Sequence, residues 1–269
     1  MSSLTLRVGV WWLNCRKFGS GAMLKLPQLR VLIDEDPCSG AWNMAVEEVL
    51  LESAFEREVA TLRFYCWCEP TASLGHFQRE ADFLAEARFA QLPAVRRLSG
   101  GGTLIHDREL TYSLALPPSQ RVVAHPIELY GLVHRAFIDV LKSRGVDMNL
   151  RGETVLLKQE PLLCFAREDE HDLVALGHKL LGSAQRRRRG AILQHGGLVL
   201  AASPVTPELP GITDLFPTSS LSGLEGDFVS QLATVLATNI KRDQMTDEEY
   251  LQTTHLAQVA YSSLSGHRR

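Results

Sequence analysis

Arg96-Arg97-Leu98-Ser99-Gly100-Gly101-Gly102-Thr103-Leu104-Ile105-His106-Asp107 is the stretch on which the reading of this chain turns. Three consecutive glycines stand between an apolar-basic run and a β-branched stretch. Glycine lacks a Cβ, so it permits positive φ and lets backbone approach a ligand closely, at a cost in conformational entropy. Inside a strand or helix such a triplet gains nothing. Taken alone it reads as a strand-to-strand turn, with Pro93 to Leu98 and Leu110 to Leu116 as the flanking strands. A second unusual stretch bears on that reading: Gly177-His178-Lys179-Leu180-Leu181-Gly182-Ser183-Ala184-Gln185, followed by Leu193-Gln194-His195-Gly196-Gly197.

Together these segments resemble the signature stretches of the lipoate ligase and octanoyltransferase family, a branch of the biotinyl/lipoyl protein ligase superfamily. Asn43-Met44-Ala45-Val46-Glu47-Glu48 is similar to the family's opening helix. Leu62 to Tyr65, Trp67, Pro70, Ser73-Leu74-Gly75 and Gln78 are similar to its next strand and loop, and Glu109-Leu110-Thr111-Tyr112-Ser113 continues the glycine segment. The match runs from about Leu29 to Leu200, with a weaker echo at Pro210 to Leu215. The resemblance implies a mixed β-sheet with flanking helices around a tunnel-like acyl site.

Composition sets the frame. A chain of 269 residues with 45% hydrophobic and 22% charged residues is ordinary for a soluble globular protein. Its formal net charge of −3 gives no general pull toward nucleic acid or anionic membrane. No apolar run approaches the ~20 residues that span a bilayer. Five cysteines, Cys15, Cys38, Cys66, Cys68 and Cys164, form no regular framework, which points to a reduced, cytoplasmic setting. Residues 1–28 read as an N-terminal extension, with Met23 as the expected true start, since the short apolar patch Val8 to Leu13 lacks a cleavage site. Residues 29–224 read as the catalytic domain and 225–269 as a helical tail packed on it.

Local patterns support an α/β reading of the α+β kind. Ser39 is a candidate N-cap before a helix carrying Trp42, Val46, Val49 and Leu50 on one face. Thr61 to Trp67 alternates as a strand, with Cys66 and Cys68 expected on one face of it. Pro126 opens a helix whose apolar positions recur at spacings of three and four, and Gly145 fits just past its end. Asp172 to Leu176 and Ala191 to Leu200 read as strands, Glu225 to Ile240 as a helix, and Thr246-Asp247-Glu248-Glu249 as a capping box. Ala201 to Leu224, rich in proline, serine and glycine, reads as irregular.

Lys179 alone would be a solvated surface lysine. The family resemblance makes it instead a catalytic group whose ammonium stabilises negative charge on an acyl carbonyl oxygen. His178 stands where the family commonly has arginine. Cys164 alone reads as a small buried hydrophobe. Cys164-Phe165, however, matches the nucleophilic Cys-Phe pair of the octanoyltransferases that act without ATP, and a neighbouring ammonium favours the reactive thiolate. The same resemblance makes Arg97, Ser99, Gly100, Gly101, Gly102, His106, Gly182, Ser183, Ala184, Gln194, His195 and Gly196 substrate-binding residues; His106 reads equally as structural, and both histidines read as pocket-lining, neither as the base. Arg186 to Arg189 reads as a solvated hairpin tip or as a dock for an acidic carrier protein.

The expected activity is octanoyl transfer from octanoyl acyl carrier protein, through a cysteine thioester, to a lysine of a lipoyl-domain protein or the glycine cleavage H protein. It requires no metal or nucleotide. The alternatives are an ATP-dependent lipoate–protein ligase needing Mg²⁺, an amidotransferase between lipoyl proteins, and a non-catalytic acyl or carrier-binding module. Neither a nucleic-acid nor a membrane partner is expected, and a monomer is.

Overall fold

The computed structural model describes residues 26–120, 123, 125–154 and 161–264; the extension and the Met23 start fall outside these residues, save Leu26 to Gln28. The fold is built on two strands whose side chains alternate between two cores. In β6 (Glu109–Leu116), Leu110, Tyr112, Leu114 and Leu116 enter the larger core, while Ala115 enters a second one on the opposite face. In β10 (Ala191–Val199), Ile192 and Leu198 join the first core and Ala191 and Leu193 the second. A period of two therefore commits both strands to a sheet covered on each side.

One cover is α3 (Pro126–Ser143) with α5 (Leu224–Leu236), whose Phe137 and Phe228 rings meet 4.1 Å apart above Phe64 and Tyr112. The other cover is α1 (Gly40–Glu56), capped by Ser39, whose hydroxyl accepts from Trp42 N at 3.3 Å. The eight-stranded sheet runs β11 (Ile240–Arg242), β1 (Leu29–Ile33), β2 (Thr61–Tyr65), β6, β10, β9 (His178–Arg188), β8 (Leu173–Ala175), β7 (Asn149–Leu150). The β11–β1 and β1–β2 pairs are parallel and the remaining pairs antiparallel. A separate sheet of β4 (Ala94–Arg96), β3 (Thr71–Leu74) and β5 (Leu104–His106) leans on the N-terminal part of α1. Short helices α2 (Glu80–Leu84) and α4 (Ile212–Leu215) complete the cover, and α6 (Asp247–Val259) begins with the predicted capping box and docks on α1.

Four local expectations are corrected. The glycine segment does not turn one strand onto the next: β4 and β5 on either side of it both pair with β3, and β6 belongs to the other sheet. Strands of three residues are too short to show a period. Cys66 and Cys68 lie past the end of β2, where the chain instead bridges Cys38. The helix read as Glu225 to Ile240 stops at Leu236, and Ile240 opens the edge strand β11. Ala201 to Leu224 is irregular except for α4 and for Leu224, which opens α5.

The arginine run ends the β9–β10 hairpin. Arg189 and Gly190 form its two-residue turn with φ of 50° and 88°, the left-handed pair that a tight hairpin needs. Arg188 and Arg189 reach back 2.7 Å to Glu48 and Glu52 of α1, and Arg187 donates to the Val123 carbonyl. Three of the four guanidiniums thus have partners among the described residues.

Candidate active site

A cavity of about 390 Å³ opens where the glycine segment, β9, β10 and the Cys164 turn converge. Its walls include Arg97, Gly100, Gly101, His106, Cys164, Lys179, Gly182, Ser183, Ala184, His195 and Gly196. Ser99, Gly102 and Gln194, expected to contact substrate, stand behind this wall and hold groups in it. The reason is strand and loop geometry. Gln194 points to the α3 side and donates to the Tyr112 hydroxyl, Ser99 is spent on His195, and the Gly102 carbonyl faces Arg97.

Arg97 shapes the glycine segment from beneath. Its buried guanidinium donates to the carbonyls of Gly100 (2.7 Å), Gly102 (2.6 Å) and Ser73 (2.7 Å). Gly101 between them adopts φ +94°, which an L side chain rarely tolerates. A Cβ there would lie 2.9 Å from the Arg97 guanidinium and 3.7 Å from Cys164 Sγ. The triplet thus brings bare backbone up to the thiol.

Cys164 sits half-buried at the start of a 3₁₀ turn, Cys164–Ala166. Its amide donates to the Thr103 carbonyl, and Thr103 donates to that of Leu162, both at 2.8 Å. The cysteine is thereby strapped to the last residue of the glycine segment. Lys179 arrives from the start of β9. Its Nζ forms a buried ion pair with Asp172 at 2.8 Å and donates to the carbonyls of Cys164 (3.3 Å) and Arg167 (3.5 Å), beside the Phe165 ring. Burial pushes the Asp172 carboxyl above its usual range, with Lys179 opposing that shift. The two carbonyl contacts are long for hydrogen bonds, so those ammonium protons are readily redirected to a substrate oxygen.

Gly182 makes room for this lysine: a Cβ there would fall 2.6 Å from Lys179 Cε. Gly182→Ala is therefore expected to shift the lysine end against Asp172, at a smaller cost in stability than deleting the lysine. Activity should nonetheless drop on the order of 10²-fold, because a misplaced catalytic group is costly. Melting curves read beside steady-state rates check this; equal rates would show that the ammonium position is unimportant.

Two histidines are held alike. His195 Nδ1 faces Glu47 at 2.8 Å and its Nε2 faces the Ser99 hydroxyl at 2.6 Å; Tyr65 donates to the same Glu47 at 2.7 Å. Burial pushes the Glu47 carboxyl up, but His195 and Tyr65 more than offset this and hold it below the usual range. His106 Nδ1 faces Glu109 at 2.7 Å and its Nε2 faces the Ser73 hydroxyl at 2.7 Å.

A third histidine lies on the wall shared with α3. His134 Nδ1 is 2.6 Å from the His171 carbonyl and Nε2 is 2.7 Å from Ser183 Oγ, which in turn meets the Tyr112 hydroxyl at 2.8 Å. A carbonyl only accepts, so Nδ1 carries the proton and Nε2 accepts from Ser183. Burial, the dominant effect, carries His134 from the ordinary 6.5 down to about 4, so it is neutral near pH 7. The unfolded chain takes up this proton first as pH falls. The contribution is therefore intact above pH 6.5 and lost progressively toward pH 4, about 3 kcal/mol in all. Denaturant titrations should show His134→Gln, which keeps a donor and an acceptor, losing less stability than the unmutated protein across that window.

The sequence reading did not single out Glu47, Ser73, Glu109, His134 or Asp172 as site residues. The available signals were Asn43 and Glu47 as an i, i+4 polar pair within an apolar helix, and Glu109 three residues after His106.

Residues 39–247 match the lipoyl protein ligase A/B catalytic domain. The chain belongs to that family. An octanoyltransferase LipM of Anoxybacillus flavithermus is 36% identical over 179 residues, 62% of this chain and 64% of that protein. The LipM of Bacillus cereus is 32% identical over 197 residues, 68% of each. The aligned part thus spans a little under two thirds of the first relative's length. Among solved structures, a T. acidophilum protein described as a candidate lipoate protein ligase, with lipoic acid bound, superposes with a TM-score of 0.71 at 20% identity, covering 89% of this chain and 98% of that one. A lipoate-protein ligase A bound with ATP gives 0.68 at 21%, covering 88% and 96%. At those identities the structures establish the fold alone.

Proposed function

We propose that this member of the family is an octanoyltransferase of lipoate biosynthesis. The Cys164 thiolate attacks the thioester carbonyl of octanoyl acyl carrier protein, a C–S bond forms to Cys164, and the carrier's thiolate leaves. The ε-amine of a lysine on a lipoyl-accepting protein, such as the glycine cleavage H protein, then takes the octanoyl group as an amide. The observation that carries this reading is the meeting of Cys164 and Lys179 on one cavity wall, the lysine anchored by Asp172 and by the cysteine's own carbonyl. A fixed ammonium offers a preorganised donor to the oxyanion of both tetrahedral intermediates. The names of the curated relatives support the same chemistry. The reading calls for no nucleotide or metal, and we place the reaction in the cytoplasm, where thiols stay reduced. Among the described residues no helix is long and apolar enough to cross a membrane.

Intact-mass spectrometry tests it directly. Mixed with octanoyl acyl carrier protein and no ATP, the protein should gain one octanoyl group, and Cys164→Ala should gain none. Acceptor modification appearing only with ATP and free octanoate or lipoate would make the protein a ligase and Cys164 a packing residue.

A further inference from the structure

The cavity has a direction, set by the register of the main sheet. Gly182 of β9 pairs with Gly197 of β10, Gly197 with Thr111 of β6, and Thr111 with Tyr65 of β2. Directly opposed residues share a face of the sheet, and all four border the cavity. The row is therefore a floor laid across four strands. Its β9 end is open: Lys179 stands there beside Cys164, and Asp169 on the same cavity wall has a side chain 63% exposed. Its β2 end is closed, with Tyr65 packed beside Met44 of α1 at exposures of 1% and 2%.

The side chains along the row suit an apolar chain lying across it. Gly182 and Gly197 give up their Cβ space to the end of Lys179 and to the Glu109 carboxylate. Thr111 spends its hydroxyl on Glu109 at 2.6 Å and on Trp67 Nε1 at 2.8 Å, which leaves its methyl to meet an acyl chain. Tyr65 is pinned, since its hydroxyl donates to Glu47 at 2.7 Å and the Arg63 guanidinium lies over its ring at 4.1 Å.

Length decides what fits. Strand spacings of about 4.8 Å carry the row about 14 Å from β9 to β2. An extended octanoyl chain measures about 9 Å from carbonyl to methyl, and its methyl keeps about 4 Å from the atoms it meets. A chain that starts over Gly182, beside the Lys179 ammonium, therefore ends against Tyr65. Two further methylenes add about 2.5 Å and run into that ring. Resting on the thioester reading above, we propose that Tyr65 and Met44 form the end stop of the acyl chain and select eight carbons over ten. Tyr65 is the fixed part. Met44, an unbranched thioether, is the part that can be resized without removing a hydrogen bond.

Carriers loaded with chains of six, eight, ten and twelve carbons test this on the first half-reaction, with the rate of Cys164 adduct formation read by intact mass. The unmutated protein should be fastest with eight carbons and at least about tenfold slower with ten, because one misfitting methylene already discriminates about 10–200-fold. Met44→Ala, and the milder Met44→Val, should raise the ten-carbon rate relative to the eight-carbon rate by about tenfold. Met44→Phe should favour six carbons instead. An adduct with any chain also reports that a variant folds. Tyr130→Leu alters the cavity wall on the α3 side and should leave the ratio of eight to ten unchanged. A second measurement needs no variant: octanoyl with a diazirine at its terminal carbon, once on Cys164, should cross-link on illumination to the peptides holding Met44 or Tyr65. Cross-linking to Tyr130, a ratio moved by Tyr130→Leu, or Met44 variants that form adducts with an unchanged length profile would each overturn the end stop. No adduct with any chain on the unmutated protein would overturn the thioester reading instead, and the end stop with it.

Discussion

Lys179→Met is expected to slow octanoyl transfer by roughly 10²–10³-fold, the loss typical of removing one preorganised oxyanion donor. It also changes stability, because the lysine has a second task. Asp172 is as buried as its partner, with side-chain exposures of 5% and 6%. Deleting one member of a buried ion pair costs about 3–5 kcal/mol when the survivor stays charged. Asp172 has an escape, since burial already favours its protonated form. Without Lys179 its folded-state pKa rises further, so the variant's stability is greatest below the ordinary carboxylate range and falls as pH increases. The deficit against the unmutated protein should therefore be larger near pH 8 than near pH 5 in denaturant titrations. Lys179→Met/Asp172→Asn should recover the stability and none of the activity. A double variant that regained transfer would show that Lys179 serves only to neutralise Asp172.

How much of this was legible beforehand follows from distance along the chain. The glycine triplet announced a place of close backbone approach, because Gly101 adopts a positive φ that L side chains rarely tolerate, beside Arg97 and Cys164. Its sheet was not legible, since β4 and β5 are three residues each and pair through β3. Cys164 and Lys179 were brought together by family resemblance and not by spacing, for the ion pair and carbonyl contacts that join them leave no periodic trace. The Arg189-Gly190 turn was readable because a basic run ending in glycine stands just before the strand that opens at Ala191. The partners of the histidines divide the same way. Glu109 lies three residues from His106 and could have been guessed, whereas Glu47 meets His195 across 148 positions. β11 was hidden because all three of its side chains are exposed, so no apolar alternation marks it. His134 was hidden because one histidine on an apolar helix face gives no sign of the serine and carbonyl that hold it neutral.

Glu249→Ala is expected to be the most destabilising substitution away from the cavity, at about 3–5 kcal/mol. Glu249 is the third residue of α6 and closes its capping box, accepting from the Thr246 amide at 2.9 Å. The same carboxylate takes both ends of the Arg30 guanidinium, at 2.9 and 2.7 Å, and the Ser53 hydroxyl of α1 at 2.9 Å. One side chain thus joins α6 to β1 and to α1, the helix that carries Glu47. Its loss strands Arg30 in a site only 8% exposed, with Thr61 as its remaining side-chain hydrogen-bond partner among the described residues. For a chain of this length the expected fall in Tm is on the order of 10 °C. Burial pushes the Glu249 carboxyl up, but Arg30, Thr246 and Ser53 together hold it below the ordinary 4.5, so this stabilisation is present above that pH and fades in acid. The gap between the unmutated protein and the variant should therefore narrow as pH drops below 4.5. Arg30→Met/Glu249→Met should recover most of the loss, because an apolar pair of similar volume needs no desolvation of charge. If the double variant melts as low as the single one, α6 is held by its cap and its packing on α1, and the ion pair contributes nothing net.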